Sequence, residues 1–155
     1  MAAADDRFLA RAAALGVEVQ ARRFPQGTRT AVDAAAAVGC ELAQIVKSLV
    51  FLADDVPVLV LTSGANRVDE DKVAAALGAE AVRKASAEQV RAATGFAIGG
   101  TPPFGHDQPL TVLCDPDLAT LDQVWAAAGT PTDVFPLSGQ RLVEVAGARV
   151  VEVAS

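Results

Sequence analysis

The first residue whose type could do chemistry is a lysine in an apolar segment. Lys47 lies in residues 44–52 (QIVKSLVFL), which are otherwise β-branched and apolar, as in a central strand. An ammonium group among apolar side chains is costly, so Lys47 should reach outward or face a cleft. In a cleft it could donate hydrogen bonds to a carbonyl, carboxylate or phosphate, or act as an acid or base if desolvated. The alternative is an edge-strand lysine that discourages aggregation.

The second feature is a loop at residues 94–106 (TGFAIGGTPPFGH). It holds four of the 12 glycines, two of the 8 prolines and the only histidine of the chain. Glycine permits unusual backbone angles and close approach, and proline fixes φ, so the composition predicts a rigid, shaped loop. Such a loop can present backbone N–H and C=O groups to a ligand. A plain tight connection is the alternative.

Other titratable residues give weaker signals. His106 closes the loop and is the only side chain that ordinarily titrates near neutrality, but no neighbouring pattern makes it part of a triad. Asp69, Glu70 and Asp71 could resemble a metal site, yet they are more simply the negative first turn of a helix. No nucleotide-binding fingerprint or Gly-x-Ser-x-Gly elbow occurs. We therefore expect no metal and no cofactor.

Bulk composition limits the class of protein. A length of 155 residues with 52% hydrophobic residues predicts a single domain over 1–155. No apolar run approaches the roughly 18 residues of a membrane span, and the acidic N-terminus at residues 1–6 does not resemble a signal peptide. Cys40 and Cys114 are far apart without nearby ligands, which favours buried, unreactive thiols and a cytoplasmic setting. The net charge of −6 excludes a protein that coats nucleic-acid duplexes, and favours a small molecule or an RNA end as ligand.

The elements that would position these residues are strands mixed with helices. Helical spacing and capping residues predict helices at residues 3–15, 30–38, 69–77, 86–94 and 138–145. Alternating or β-branched runs predict strands at residues 17–22, 44–52, 58–61, 80–83, 110–114, 132–137 and 149–153. A turn at Asp54 and Asp55 joins two of these strands into a hairpin, so the sheet cannot be all parallel. Helix propensity alone would also make residues 121–128 helical.

Three motifs together resemble those of the YbaK/prolyl-tRNA editing domain family. They are the lysine-bearing segment 44–50 (QIVKSLV), the helix end 72–79 (KVAAALGA) and the loop 94–105, which is similar to the family's Thr-Gly-aromatic…Gly-Gly-x-Ser/Pro-Pro-x-Gly motif. The resemblance implies a mixed α/β fold, with a barrel-like sheet of six to seven strands surrounded by about five helices. It also implies that residues 121–128 are largely strand. We adopt that expectation, because tertiary context overrides weak propensity.

The resemblance further implies an activity, hydrolysis of the ester that joins a wrong amino acid to tRNA by a free-standing editing factor. Lys47 would be the family's essential lysine, and Gly100 with Gly99 would place backbone groups around the scissile ester and terminal ribose. The remaining residues expected to bind substrate are Phe24, Thr30, Ser48, Thr101, Pro103, Phe104 and His106, the last supporting the loop or contacting the terminal nucleotide. Members acting on cysteinyl esters often carry Ser-Gly-Gly where this chain has residues 127–129 (AAG), which argues against cysteine specificity.

This chemistry needs no protein nucleophile. An aminoacyl ester is already activated, so water or a ribose hydroxyl can attack while the protein positions groups and stabilises the oxyanion. The expected partner is a tRNA acceptor end with its attached small amino acid, and a synthetase is a further candidate partner. Two alternatives stay open. One is a non-catalytic module that binds an amino acid, a tRNA end or a synthetase, and the other is a hydrolase of another small ester or amide.

Overall fold

The computed structural model describes residues 5–28 and 30–155. In this part of the chain there are six α-helices: α1 (Asp6–Ala14), α2 (Ala31–Val38), α3 (Glu70–Leu77), α4 (Ala87–Thr94), α5 (Pro116–Ala119) and α6 (Gly139–Ala146). A 3₁₀ turn covers Leu42–Gln44. The eight strands are β1 (Arg22–Arg23), β2 (Val46–Ala53), β3 (Val56–Ser63), β4 (Val82–Lys84), β5 (Thr111–Cys114), β6 (Val124–Ala127), β7 (Asp133–Leu137) and β8 (Arg149–Val150). Residues 1–4, which bear on the predicted absence of a signal peptide, lie outside the described residues.

The strands form two sheets. The larger sheet has the order β4-β2-β3-β5-β8, antiparallel from β4 to β3 and parallel from β3 to β8. The smaller sheet, β1-β7-β6, is antiparallel. A parallel bridge between Ile45 and Trp125 links the two. The predicted mixed α/β class is therefore confirmed, but the strands do not close into a barrel.

The hairpin of β2 and β3 forms the centre of the larger sheet. The two strands pair along their whole length, with Ala53 opposite Val56 next to the turn. Asp54 and Asp55 adopt positive φ angles of 48° and 68°, as a two-residue turn that follows the twist of the strands requires. This register places Lys47 directly opposite Thr62.

Within residues 121–128, Val124–Ala127 forms a strand, as the family resemblance implies and helix propensity does not. Val124–Ala127 pairs with the antiparallel strand β7, and Val124 and Trp125 are almost completely buried. Pairing with a neighbouring strand satisfies the backbone groups of this segment. That gain outweighs the small helix preference of its alanines.

Two predicted strands are much shorter than expected. Of residues 17–22, only the last joins a strand, β1, although Val17 and Val19 pack against the core. The alternation of residue types therefore predicts correctly which side chains are buried. A strand also needs a neighbouring strand to pair with, and the alternation does not show whether one is present. At the C-terminus, Arg149–Val150 pairs with β5, and the remainder of the predicted strand 149–153 does not continue the ladder.

A cluster of four phenylalanines packs beneath the glycine loop. The ring centre of Phe8 on α1 lies 6.5, 5.6 and 5.4 Å from those of Phe96, Phe104 and Phe135. All four rings are buried. Because Phe96 and Phe104 belong to the loop, the loop is anchored on the core by its own aromatic side chains.

Arginines of α1 fix the two ends of the same loop. Arg7 donates a hydrogen bond to the carbonyl of Gly95, and Arg11 donates to the carbonyl of Gly105 at 3.1 Å. Arg11 also pairs with Asp107 at 2.7 Å. The helix therefore holds the loop by charge-assisted bonds outside and by aromatic packing inside. None of the described helices has the length and apolarity needed to cross a bilayer.

Candidate functional site

A cavity of about 380 Å³ lies between the two sheets, along the first half of β2. Strand β4 pairs with β2 only from Phe51 onward, so this edge of β2 is uncovered before that residue. One end of the gap is closed by the bridge between Ile45 and Trp125. The other end is closed where the Ala85 N–H donates to the Val50 carbonyl at 3.2 Å. The cavity thus occupies the place where a longer β4 would otherwise have paired.

The lining is mainly apolar, with a few polar side chains. The apolar residues come from both sheets, α2, α4 and the glycine loop, and include Ala31, Ala34, Ile45, Val46, Val50, Val90, Ile98, Trp125 and Val134. The polar ones are Thr28, Thr30, Lys47, Ser48, Lys84 and Thr101. Among the described residues, no aspartate or glutamate lines the cavity. A chain with a net charge of −6 therefore presents a locally cationic pocket.

Lys47 lies on the cavity wall with its ammonium group held in place. Its Nζ donates to the backbone carbonyl of Asn66 at 2.5 Å. Burial lowers the pKa of Lys47, the cations Lys84 and Arg67 lower it further, and the carboxylate of Asp115 acts in the opposite direction. With one proton donated to Asn66, two remain for a ligand. Such a group can stabilise negative charge that develops on an oxygen in the cavity.

Ser48 turns its backbone toward the cavity. Along an antiparallel pair, every second residue forms its backbone hydrogen bonds with the partner strand. The Gly64 N–H donates to the Ile45 carbonyl at 2.7 Å, which fixes which residues of β2 face β3. Lys47 and Leu49 therefore direct their backbone groups to β3, whereas Ser48 directs its N–H and C=O to the uncovered edge. The Ser48 Oγ is buried and has no hydrogen-bond partner among the described residues. This edge offers a donor and an acceptor to a ligand that carries both.

Two loop residues expected at the site, Gly99 and Thr101, line the cavity, and a third, Gly100, lies behind it. The Gly100 N–H donates to the Ala97 carbonyl at 3.0 Å, and a Cβ there would lie 2.8 Å from the backbone carbon of Thr130. Glycine is therefore required at 100 by close packing against the connection between β6 and β7. Gly99, with φ of 90°, is the glycine that faces the cavity.

Thr30 also lines the cavity, while Phe24 does not. The Thr30 Oγ1 caps α2 by accepting a hydrogen bond from the Asp33 N–H at 3.1 Å. Phe24 packs on the cluster that contains Trp125, next to the cavity wall. Its influence on a ligand would therefore pass through the residues of that cluster.

Pro103, Phe104 and His106 lie behind the cavity wall. Pro103 and Phe104 are buried, Phe104 within the phenylalanine cluster. The His106 Nε2 donates to the Pro102 carbonyl at 2.7 Å, and burial lowers the pKa of its imidazole. These contacts stabilise the turn of the loop, and none of the three residues lines the cavity.

Several functional candidates are not marked by a local sequence pattern. Thr28, Lys84 and Trp125 line the cavity, and Asn66 binds Lys47 without lining it. The available signal for Lys84 is the basic pair that it forms with Arg83 at the end of the predicted strand 80–83. Nothing local marks the others, because pairing between distant segments brings them to the cavity.

The remaining titratable candidates have structural positions. The Asp69 carboxylate caps α3 by accepting from the N–H groups of Asp71 at 2.9 Å and Lys72 at 3.3 Å, as expected for an acidic first turn. In the described ranges, no three His, Cys, Asp or Glu side chains are grouped to hold a metal ion. Cys114 is buried as predicted, and burial raises the pKa of its thiol to about 12. Cys40 is only partly buried, contrary to the expectation.

Comparison with known proteins gives consistent results. Residues 25–145 match the profile of the aminoacyl-tRNA editing domain family. The proline–tRNA ligase of Limosilactobacillus fermentum is 37% identical over 102 residues, covering 63% of this chain and 18% of the ligase. The chain therefore spans less than a fifth of that relative's length.

Two other proteins match along most of their length. The uncharacterised protein YwhH of Bacillus subtilis is 30% identical over 128 residues, covering 82% of this chain and 81% of YwhH. The crystal structure of a candidate trans-editing enzyme for prolyl-tRNA synthetase superposes with a TM-score of 0.90 and 42% identity. That superposition covers 96% of this chain and 95% of the other.

Proposed function

The chain belongs to the aminoacyl-tRNA editing domain family, and from this premise we propose that it hydrolyses the ester of tRNA carrying a small, wrong amino acid. The family predicted from the three sequence motifs is thereby confirmed. We further propose a proline tRNA as the substrate, since the relatives include proline–tRNA ligases and a candidate trans-editing enzyme for prolyl-tRNA synthetase. The observation that carries the proposal is a desolvated, hydrogen-bonded Lys47 in a cationic, mainly apolar cavity.

In this mechanism Lys47 is a donor and not a nucleophile. Water attacks the ester carbonyl, and the carbonyl oxygen becomes an oxyanion that the Lys47 ammonium stabilises. The bond between the carbonyl carbon and the ribose oxygen then breaks, and the ribose oxygen takes a proton that the attacking water has lost. The Gly99 N–H, which has no backbone acceptor in the described part of the chain, is the proposed second donor.

The amino acid would be recognised partly by its backbone. Its α-ammonium group can donate to the Ser48 carbonyl at the uncovered edge of β2, independently of the side chain. The apolar wall, including Ala34 and Val134, then limits side-chain size. One methylene group changes such discrimination by only about 1–3 kcal/mol, which is why small amino acids need separate editing sites.

Only the tRNA end needs to be bound. The exposed Lys84 lies on the cavity wall and can contact a phosphate near the terminal nucleotide. The overall charge of −6 disfavours extended contact with the rest of the RNA. A charged-tRNA substrate would place the protein in the cytoplasm, and a synthetase could deliver it.

The test is a deacylation screen with Ala, Cys, Ser, Thr and Pro esters on proline tRNA and on other tRNAs. We expect turnover of at least one small non-cognate ester by the wild-type protein, and a rate at least about 100-fold lower for a folded Lys47→Ala variant. Saturable binding without turnover would instead support a non-catalytic module. Equal turnover of small esters lacking tRNA would support a general esterase.

A further inference from the structure

Asn66 connects Lys47 to a pair of carboxylates. Its backbone carbonyl accepts the hydrogen bond from the Lys47 Nζ at 2.5 Å. Its side-chain Nδ2 donates to the Oδ2 of Asp115 and the Oδ2 of Asp117, both at 2.8 Å. The side chain of Asn66 thus fixes its position after β3, and its backbone carbonyl binds the ammonium group of Lys47.

Asp115 is the fixed point of this arrangement. It is 1% exposed and follows directly after β5, at the end of the larger sheet. Its Oδ2 also accepts from the Ser63 N–H at 3.2 Å, and its Oδ1 accepts from the Asp117 N–H at 2.9 Å. Three donors from three segments therefore hold the carboxylate in one position, with the side chain of Asn66 as one of them.

We propose that Asn66 and Asp115 are positioning residues for Lys47, which fix its ammonium group at the cavity wall. The proposal rests on the function proposed above for Lys47. A lysine side chain is flexible, and an unheld ammonium would sample several positions around the cavity. A misplacement of about 1 Å can cost about 100-fold in rate, so a fixed acceptor matters for a transition-state donor.

The charges around Lys47 give Asp115 a second effect. Burial and the cations Lys84 and Arg67 all lower the pKa of Lys47, whereas Asp115 raises it. Removing the carboxylate charge should therefore lower that pKa further. Because only the ammonium form is a strong donor to an oxyanion, activity should then be lost at a lower pH.

The experiment compares the full-length wild-type protein with Asn66→Ala and Asp115→Asn. The pKa of Lys47 is measured from the ¹³Cε shifts of the chain's lysines, Lys47, Lys72 and Lys84, assigned by single Lys→Arg changes. Deacylation is measured as kcat and KM over pH. We expect kcat to fall by about 10- to 100-fold at neutral pH with little change in KM. In Asp115→Asn we also expect a lower Lys47 pKa, and we expect the fall of kcat at alkaline pH to begin at a lower pH than in the wild type.

A matched control and a rescue separate positioning from general stability. Asp69→Ala removes a helix cap close in sequence to Asn66 without touching Lys47, so it should lower thermal stability and leave kcat and the Lys47 pKa unchanged. Asn66→Gln keeps a side-chain amide that can donate to Asp115 and Asp117, so it should recover part of the kcat lost in Asn66→Ala.

The outcomes are distinguishable from a failure of the proposed function. If folded Asn66→Ala and Asp115→Asn keep the wild-type kcat, pH profile and Lys47 pKa, the positioning proposal is wrong. If Asp115→Asn does not fold, the kcat of Asn66→Ala decides. If the wild type hydrolyses no ester although the Lys47 pKa falls in Asp115→Asn, the proposed function fails and the electrostatic link between Asp115 and Lys47 stands.

Discussion

Replacing Lys47 by methionine separates its chemical role from its role in packing. Methionine keeps a long, unbranched stem but has no charge and no donor. The variant removes the hydrogen bond to Asn66 and the ammonium group from the cavity wall. If Lys47 is the principal donor to the oxyanion, the loss should fall on kcat, because the interaction forms only as negative charge develops.

The expected loss of rate follows from the number of donors in the cavity. Removing one oxyanion donor typically costs about 10²–10³ in kcat, or about 2.7–4 kcal/mol. The Gly99 N–H would remain as a second donor, so residual activity above the uncatalysed rate is expected. Binding of the amino acid through the Ser48 backbone would be unaffected, and KM should change little.

Although kcat falls, the free energy of unfolding of Lys47→Met should rise or change very little. Folding lowers the pKa of Lys47 from its ordinary value of 10.5, chiefly through burial. Below the folded pKa of Lys47 the lysine is charged in both folded and unfolded chains, so its desolvation destabilises the folded state. This penalty disappears as the pH rises through the folded pKa of Lys47 toward 10.5. Lys47→Met removes it at neutral pH, offset by about 1 kcal/mol for the lost hydrogen bond.

The assay is single-turnover deacylation with saturating protein, alongside urea unfolding. Lys72→Met is the matched control, because Lys72 also donates through Nζ to a backbone carbonyl, that of Ala154 at 2.6 Å, away from the cavity. We expect normal rates for the control and a loss of at least about 100-fold for Lys47→Met. A folded Lys47→Met protein with a rate within a few-fold of wild type would refute the reasoning.

Three further predictions concern the surroundings of the site. Gly100→Ala would place a Cβ 2.8 Å from the backbone of Thr130 and should destabilise the fold by about 1–3 kcal/mol in urea unfolding, with reduced kcat; unchanged stability would contradict that close packing. Burial lowers the pKa of His106 below its ordinary value of 6.5, so the free energy of unfolding should fall as the pH drops below 6.5. His106→Gln should flatten that pH dependence, and an unchanged slope would count against the burial of the imidazole. In native protein a thiol reagent at pH 8 should modify Cys40 before Cys114, whose pKa is about 12 and which should react only after unfolding; early labelling of Cys114 in mass spectrometry would be inconsistent with its burial.

Helices were predictable because their signals are local. The capping box of Ser86 and Gln89 opens α4, and Asp69 caps α3, both where the sequence places them. A cap acts through hydrogen bonds within one turn, so the necessary information lies within four residues. The β2–β3 hairpin is of the same kind, since its two-residue turn fixes the pairing.

Strands and the cavity depended on partners that the local sequence does not contain. Residues 17–22 alternate like a strand but have no neighbour along most of their length, while Val124–Ala127 has one and becomes a strand against its propensity. Likewise, Gly99 and Gly100 are equivalent in the loop sequence. Only the tertiary structure shows that Gly100 packs against Thr130 and that Gly99 faces the cavity.

By itself the sequence determined that Lys47 is a cation in an apolar strand and that residues 94–106 form a shaped loop, because residue type alone makes both unusual. The tertiary structure decided what they can do. The shortness of β4 leaves the edge of β2 open and creates the cavity. Asn66 and Asp115, 19 and 68 residues further along the chain, then fix the ammonium group there. Positioning of this kind depends on distances between segments remote in sequence, which emerge only when β2, β3 and β5 pair within the larger sheet.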